Sequence, residues 1–126
     1  VMDVGIGGIH LVQKLMDRYD VLVIVDAVDR GHPAGTVQIL EVAVPDLSTW
    51  SEDERREFLA DMHYATPSRA LILSRALGVL PPKVYLLGCQ AGDVSDLGIG
   101  LSDPVQQATG EAIERLEALF AQEVAR

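Results

Sequence analysis

The segment VLVIV, Val21 to Val25, constrains this chain more than any other stretch. It is short, β-branched and apolar throughout, the pattern of a strand covered on both faces. It ends on a lone acid, Asp26, and then runs through DRGHPAG, a loop rich in glycine and proline. A segment of this kind belongs inside a sheet, and what flanks it decides the fold class.

Upstream, IHLVQKLMDRY carries Ile9, Val12, Leu15, Met16 and Tyr19 at helical spacing and reads as an amphipathic helix. Downstream, Thr36 to Val42 alternates and reads as a second strand nearer an edge. Ser51 and Glu54 form a capping box for a short helix of mixed charge. Thr66 and Pro67 supply the N-cap and first position of another helix, with Ala70, Leu71, Leu73 and Leu77 on its apolar face and Gly78 as its stop. KVYLLGC is a third strand, QAGDVSDLGIGLSD a long irregular segment, and Ser102 opens a final helix to about Val124. That helix carries an apolar stripe of Val105, Ala108, Ala112, Ile113, Leu116, Leu119, Phe120 and Val124. Strands alternate with helices, so the expected class is α/β: a three-layer sandwich with a mainly parallel sheet flanked by helices.

With 126 residues, about half of them apolar, the chain has enough material for one domain and a real core. A formal net charge of −9 opposes nucleic-acid binding and fits a cytoplasmic protein or a cationic partner. No apolar run approaches the roughly 18 residues that span a bilayer, so no membrane association is expected. A single cysteine, Cys89, excludes an intrachain disulfide framework and any multi-cysteine metal site. Cys89 follows an apolar strand with no adjacent base, so it reads as a small buried hydrophobe rather than a nucleophile.

Ligands of open α/β sheets bind beyond the carboxyl ends of the strands, and Asp26 stands there. It is either a turn-capping acid or the working end of a site. His63, in the loop entering the Thr66 helix, is a second edge-of-sheet candidate. Carboxylate and imidazole together suit nickel or zinc, although one Asp and one His far apart in sequence are a weak signal and read more readily as unrelated surface residues. His10 reads as a solvated helix residue and His32 as an exposed loop residue. Gly5, Gly7 and Gly8 lack the third spaced glycine and the preceding strand of a dinucleotide fingerprint. A flavodoxin-like nucleotide-binding domain is therefore the weaker reading. No G-x-S-x-G elbow is present.

The order of these features resembles the hydrogenase maturation proteases, which trim the large subunit of nickel-iron hydrogenases. DVGIGG, Asp3 to Gly8, is similar to the family's D-[DE]-G-x-G. VLVIVDAVDRGHPAGTVQIL is similar to its strand-D-A-[VI] block and the Pro-Gly-Thr turn that follows. A third block starts at His63 and runs through LSRALGVLPPKVYLLGCQ, and GIGLS with the long last helix closes the pattern. The resemblance covers nearly the whole chain and implies a twisted sheet between helical layers.

It also implies a metal-recognition site of two carboxylates and one histidine, with Asp26 as the second carboxylate and His63 as the histidine. These two are the implied catalytic residues. The first carboxylate's position holds Val4, with Asp3 beside it as the remaining acid of that motif. The implied activity is that of an endopeptidase removing the C-terminal extension of a nickel-iron hydrogenase large-subunit precursor after nickel insertion. The substrate-borne nickel is the recognition element. The implied compartment is the cytoplasm. Val4 leaves open a noncatalytic relative that binds precursor or metal. One domain over residues 1–126 is expected. Measured against the family pattern, an N-terminal strand and a segment near residue 15 are expected to be missing from it.

Overall fold

The structure, a computed structural model, describes residues 1–3, 8–60, 67–92 and 100–124. Its element order is α1 (Gly8–Leu15), β1 (Val21–Val28), β2 (Val37–Glu41), a 3-10 turn (Leu47–Thr49), α2 (Glu52–Ala60), α3 (Pro67–Ala76), β3 (Lys83–Gln90) and α4 (Asp103–Val124). The α/β class expected from the alternation of helix and strand holds. Val4, His63, Thr66 and Gly98 lie outside the described residues.

The chain divides into two compact units, Val1–Leu22 with Val42–Val84, and Val23–Glu41 with Tyr85–Arg126. In the first, α1 packs on α3, and α3 also meets the 3-10 turn. The buried residues of α1 are Gly8, Leu11, Val12 and Leu15, a single stripe at spacings of three and four. Ile9, Met16 and Tyr19, expected on that stripe, are exposed. The helix ends at Leu15, and Arg18 then adopts a left-handed φ of 62°, so Met16 and Tyr19 no longer follow the helical face.

The capping box forms as expected: Ser51 Oγ accepts the Glu54 N–H at 3.2 Å, and Glu54 Oε1 accepts the Ser51 N–H at 3.2 Å. Gly78, at φ 73°, ends α3 in a Schellman motif. Its N–H donates to the Arg75 carbonyl at 3.0 Å, and the Val79 N–H donates to the Ser74 carbonyl at 3.0 Å. Ala70 and Leu71 are buried as expected, whereas Leu77, beyond the last helical turn, is exposed. Around α2, Phe58 is buried, with Trp50 edge-on at 5.7 Å and the Arg69 guanidinium over its ring. Arg75 donates to the Val44 carbonyl and pairs with Asp46 at 3.7 Å, which ties the segment after β2 to α3.

The strand order is β1-β3-β2. β2 and β3 are antiparallel, with Val37 opposite Cys89, Ile39 opposite Leu87 and Glu41 opposite Tyr85. β1 and β3 end side by side, the Val28 carbonyl accepting the Ala91 N–H at 2.9 Å. They therefore run in the same direction, and the sheet is mixed. In the second unit Val37, Leu87 and Ala108 are buried together, with Val23, Ile39, Cys89 and Leu116 packed against them.

Leu87 on the central strand is fully buried, whereas VLVIV on β1 is only half-buried and Val25 is 61% exposed. The reading of β1 as covered on both faces is thus corrected. Among the described strands β1 is an edge, and β3 is the strand with neighbours on both sides. On α4 the buried side narrows to Ala108, Ala112, Leu116 and Leu119, with Val105 above and Glu123 below, while Ile113, Phe120 and Val124 are exposed. Tyr85 donates to Glu123 Oε1 at 2.5 Å and fastens the end of that helix to β3.

Candidate functional site

Asp26 lies within β1, two residues before the strand ends at Val28. The strand thus continues past the point where the apolar run suggests it stops, because backbone pairing with β3 continues there. Val25, Asp26 and Ala27 are all exposed. The Asp26 carboxylate is oriented locally: its Oδ1 accepts the Ala27 N–H at 2.8 Å. A carboxylate held this way keeps lone pairs for a proton or a cation.

The segment leaving β1 is held by the end of β3. Gln90 is 6% exposed. Its Oε1 accepts the N–H groups of Arg30 at 2.8 Å and His32 at 3.4 Å. Its Nε2 donates to Asp29 Oδ1 at 3.2 Å and to the Ala91 carbonyl at 3.3 Å. Its backbone completes the clasp, its N–H donating to the Thr36 carbonyl at 2.8 Å and its carbonyl accepting the Gly35 N–H at 3.0 Å.

Two glycines let the backbone close further. A β-carbon on Gly35 would stand 2.6 Å from the Pro104 carbonyl oxygen, and one on Gly92 would stand 2.9 Å from Ser102 Oγ. The loop after β1 therefore packs on the backbone at the start of α4, and the segment leaving β3 packs on the Ser102 side chain just before it. Sequence reasoning missed Gln90 by ending β3 at Cys89. The available signal was a polar residue directly after an apolar strand and facing a loop full of backbone donors.

Asp3 is exposed and belongs to the first unit, and Asp26 belongs to the second. His63 lies outside the described residues. Among the described residues no group of three His, Cys, Asp or Glu side chains comes together to hold a metal ion. His10 and His32 are exposed, as expected, and Gln38 Nε2 lies 3.3 Å from His32 Nε2. Cys89 is half-buried against the core, its Sγ 3.9 Å from the Gln90 carbonyl. No helix among the described residues is long and apolar enough to cross a membrane.

The mixed sheet with its helices is similar in fold to solved endopeptidase structures. The chain is similar to the hydrogenase maturating endopeptidase HybD from E. coli, with a TM-score of 0.63, 24% identity, and coverage of 88% of this chain and 65% of that one. It is also similar to the solution structure of an endopeptidase from Escherichia coli, with a TM-score of 0.70, 26% identity, and coverage of 97% and 70%.

Residues 1–119 match the family model HycI, hydrogenase maturation protease, and the chain belongs to that family. Among curated relatives, the hydrogenase expression/formation protein HupD of Thiocapsa roseopersicina is 32% identical over 126 residues, which cover 97% of this chain and 52% of HupD. The chain spans about half the length of the curated relatives it matches.

Proposed function

We propose that this chain acts as an endopeptidase on a nickel-iron hydrogenase large-subunit precursor. It removes the C-terminal extension once nickel is inserted, and the substrate-borne nickel is the recognition element. The observation that carries this reading is an exposed, oriented carboxylate, Asp26, within the residues that match the maturation-protease family model. Asp26 and His63 are the catalytic pair of the proposal, and together with Asp3 they form the set that meets the nickel. A carboxylate and an imidazole suit a borderline divalent ion. We read residues 1–126 as one such domain, working in the cytoplasm, with the precursor as partner and neither nucleic acid nor membrane involved. The net charge of −9 supports the exclusion of nucleic acid.

Cleavage adds water across the scissile amide: oxygen joins the carbonyl carbon and a proton goes to the leaving nitrogen. With Asp26 as general base the reaction is of the aspartic type, the carboxylate taking the water proton as oxygen attacks. The substrate's metal can add to this by polarising the carbonyl.

The test is the intact mass of a nickel-loaded, extended large subunit before and after incubation with the chain. Loss of one discrete C-terminal peptide is expected, dependent on nickel and abolished by Asp26→Ala and by His63→Ala. Because the Asp26 side chain is exposed and, among the described residues, its carboxylate bonds its own neighbour's amide, Asp26→Ala should keep the wild-type melting temperature. Full processing by both variants would overturn the assignment of these residues. An unchanged mass with wild-type protein would overturn the protease reading in favour of a noncatalytic precursor-binding relative.

A further inference from the structure

We infer that Gln90 is the positioning residue of the Asp26 site, setting the end of β1 through hydrogen bonds where burial does not. The inference rests on the reading of Asp26 as the working carboxylate. Residues 25–27 are exposed, so packing contributes little to holding them. The next three residues are gripped in succession from β3. Val28 is held through its carbonyl by the Ala91 N–H. Asp29 is held through its carboxylate by Gln90 Nε2, and Arg30 through its N–H by Gln90 Oε1.

A glutamine amide has two N–H donors and two carbonyl lone pairs. Here both donors and both acceptor positions are engaged, by Asp29, Ala91, Arg30 and His32. A residue that only filled space at the end of β3 would need none of these partners. An apolar side chain of the same volume would leave the loop donors without acceptors in a partly buried setting. The strand end would then fray back toward Ala27, whose N–H orients the Asp26 carboxylate. Gln90 thus acts on Asp26 through the backbone of residues 27–30.

The test compares Gln90→Met, Gln90→Glu and Gln90→Glu combined with Asp29→Asn in the full chain, by amide hydrogen exchange and by precursor processing. Gln90→Met keeps the volume and removes the polar atoms. Exchange at Ala27, Arg30 and His32 should speed up roughly tenfold, and kcat/KM should fall by a similar factor, as expected for losing a partly buried hydrogen-bonding group. Gln90→Glu keeps the acceptor but sets one carboxylate against another, so it should show the same defects. Adding Asp29→Asn supplies a donor to that carboxylate and should bring exchange back to within about threefold of wild type.

Wild-type exchange at Ala27 and Arg30 in Gln90→Met, or no recovery when Asp29→Asn is added, would overturn the inference. Should the wild-type chain leave the precursor uncut, the endopeptidase reading fails by itself, while exchange at Ala27 still decides whether Gln90 sets the Asp26 strand end.

Discussion

The carbonyl oxygen of Pro104 lies 2.6 Å from the point where a β-carbon on Gly35 would stand, and Gly35 has a φ of 87°. The first turn of α4 rests directly on the backbone of the loop that follows the Asp26 strand. Gly31, in the same loop, also has a positive φ, of 75°, but nothing lies within 4 Å of its would-be β-carbon. Gly31→Ala should therefore cost only the left-handed backbone penalty, about 1–2 kcal/mol. Gly35→Ala adds a backbone collision and should cost more, about 3 kcal/mol or above. Urea midpoints of the two variants check this, and equal losses would mean that the α4 contact gives way freely.

Leu87 is fully buried on the central strand among Val37 and Ala108. Leu87→Ala should destabilise the chain by about 2–5 kcal/mol, since the cavity is walled by two strands and a helix and cannot collapse. Chemical denaturation measures it. A loss below about 1 kcal/mol would mean that α4 closes over the gap.

Ser51 and Glu54 exchange side chain for backbone in both directions at the start of α2. Ser51→Ala should lower stability by about 1 kcal/mol, whereas Glu54→Gln should be tolerated because its amide oxygen can still accept the Ser51 N–H. Ser51→Ala matching wild type would show that solvent replaces the cap without cost.

Asp46 has its carboxyl held below the usual aspartate range, first by the Ser48 backbone N–H, then by the Ser48 side chain and more weakly by Arg75, with slight burial acting the other way. Its lowered native pKa means the unfolded chain binds the proton more tightly. The stabilisation is therefore present above the unfolded aspartate pKa and is lost as pH falls through the native one. Asp46→Asn removes it. The stability gap between wild type and Asp46→Asn should be constant near neutrality and close under acid. A gap that persists unchanged at low pH would place the effect in shape rather than charge.

Local rules were legible from residues alone. The capping box at Ser51, the start of α3 at Pro67, its stop at Gly78 and the run of α4 to Val124 all follow from interactions within a few positions of each other. The identity of Asp26 as a candidate was equally local, since a single acid interrupting β-branched residues needs no partner to be noticed. Strand position was a different matter. VLVIV is more apolar than KVYLLGC, yet β3 is central and β1 an edge among the described strands, because hydrogen-bond pairing and chain crossing decide order and hydrophobicity does not.

The clasp on the loop that follows β1 belongs wholly to the tertiary structure. Gln90 and Arg30 are 60 positions apart, and no periodicity or turn signal links residues so distant. Their meeting follows from β1 and β3 ending together, which leaves loop donors beside a polar side chain and makes pairing cheaper than burial without a partner. Sequence alone thus determined the α/β class, the start of α2, the stop of α3 and the candidate carboxylate. Only the packed chain decided which strand is central and what holds the loop after β1, since both depend on long-range pairing.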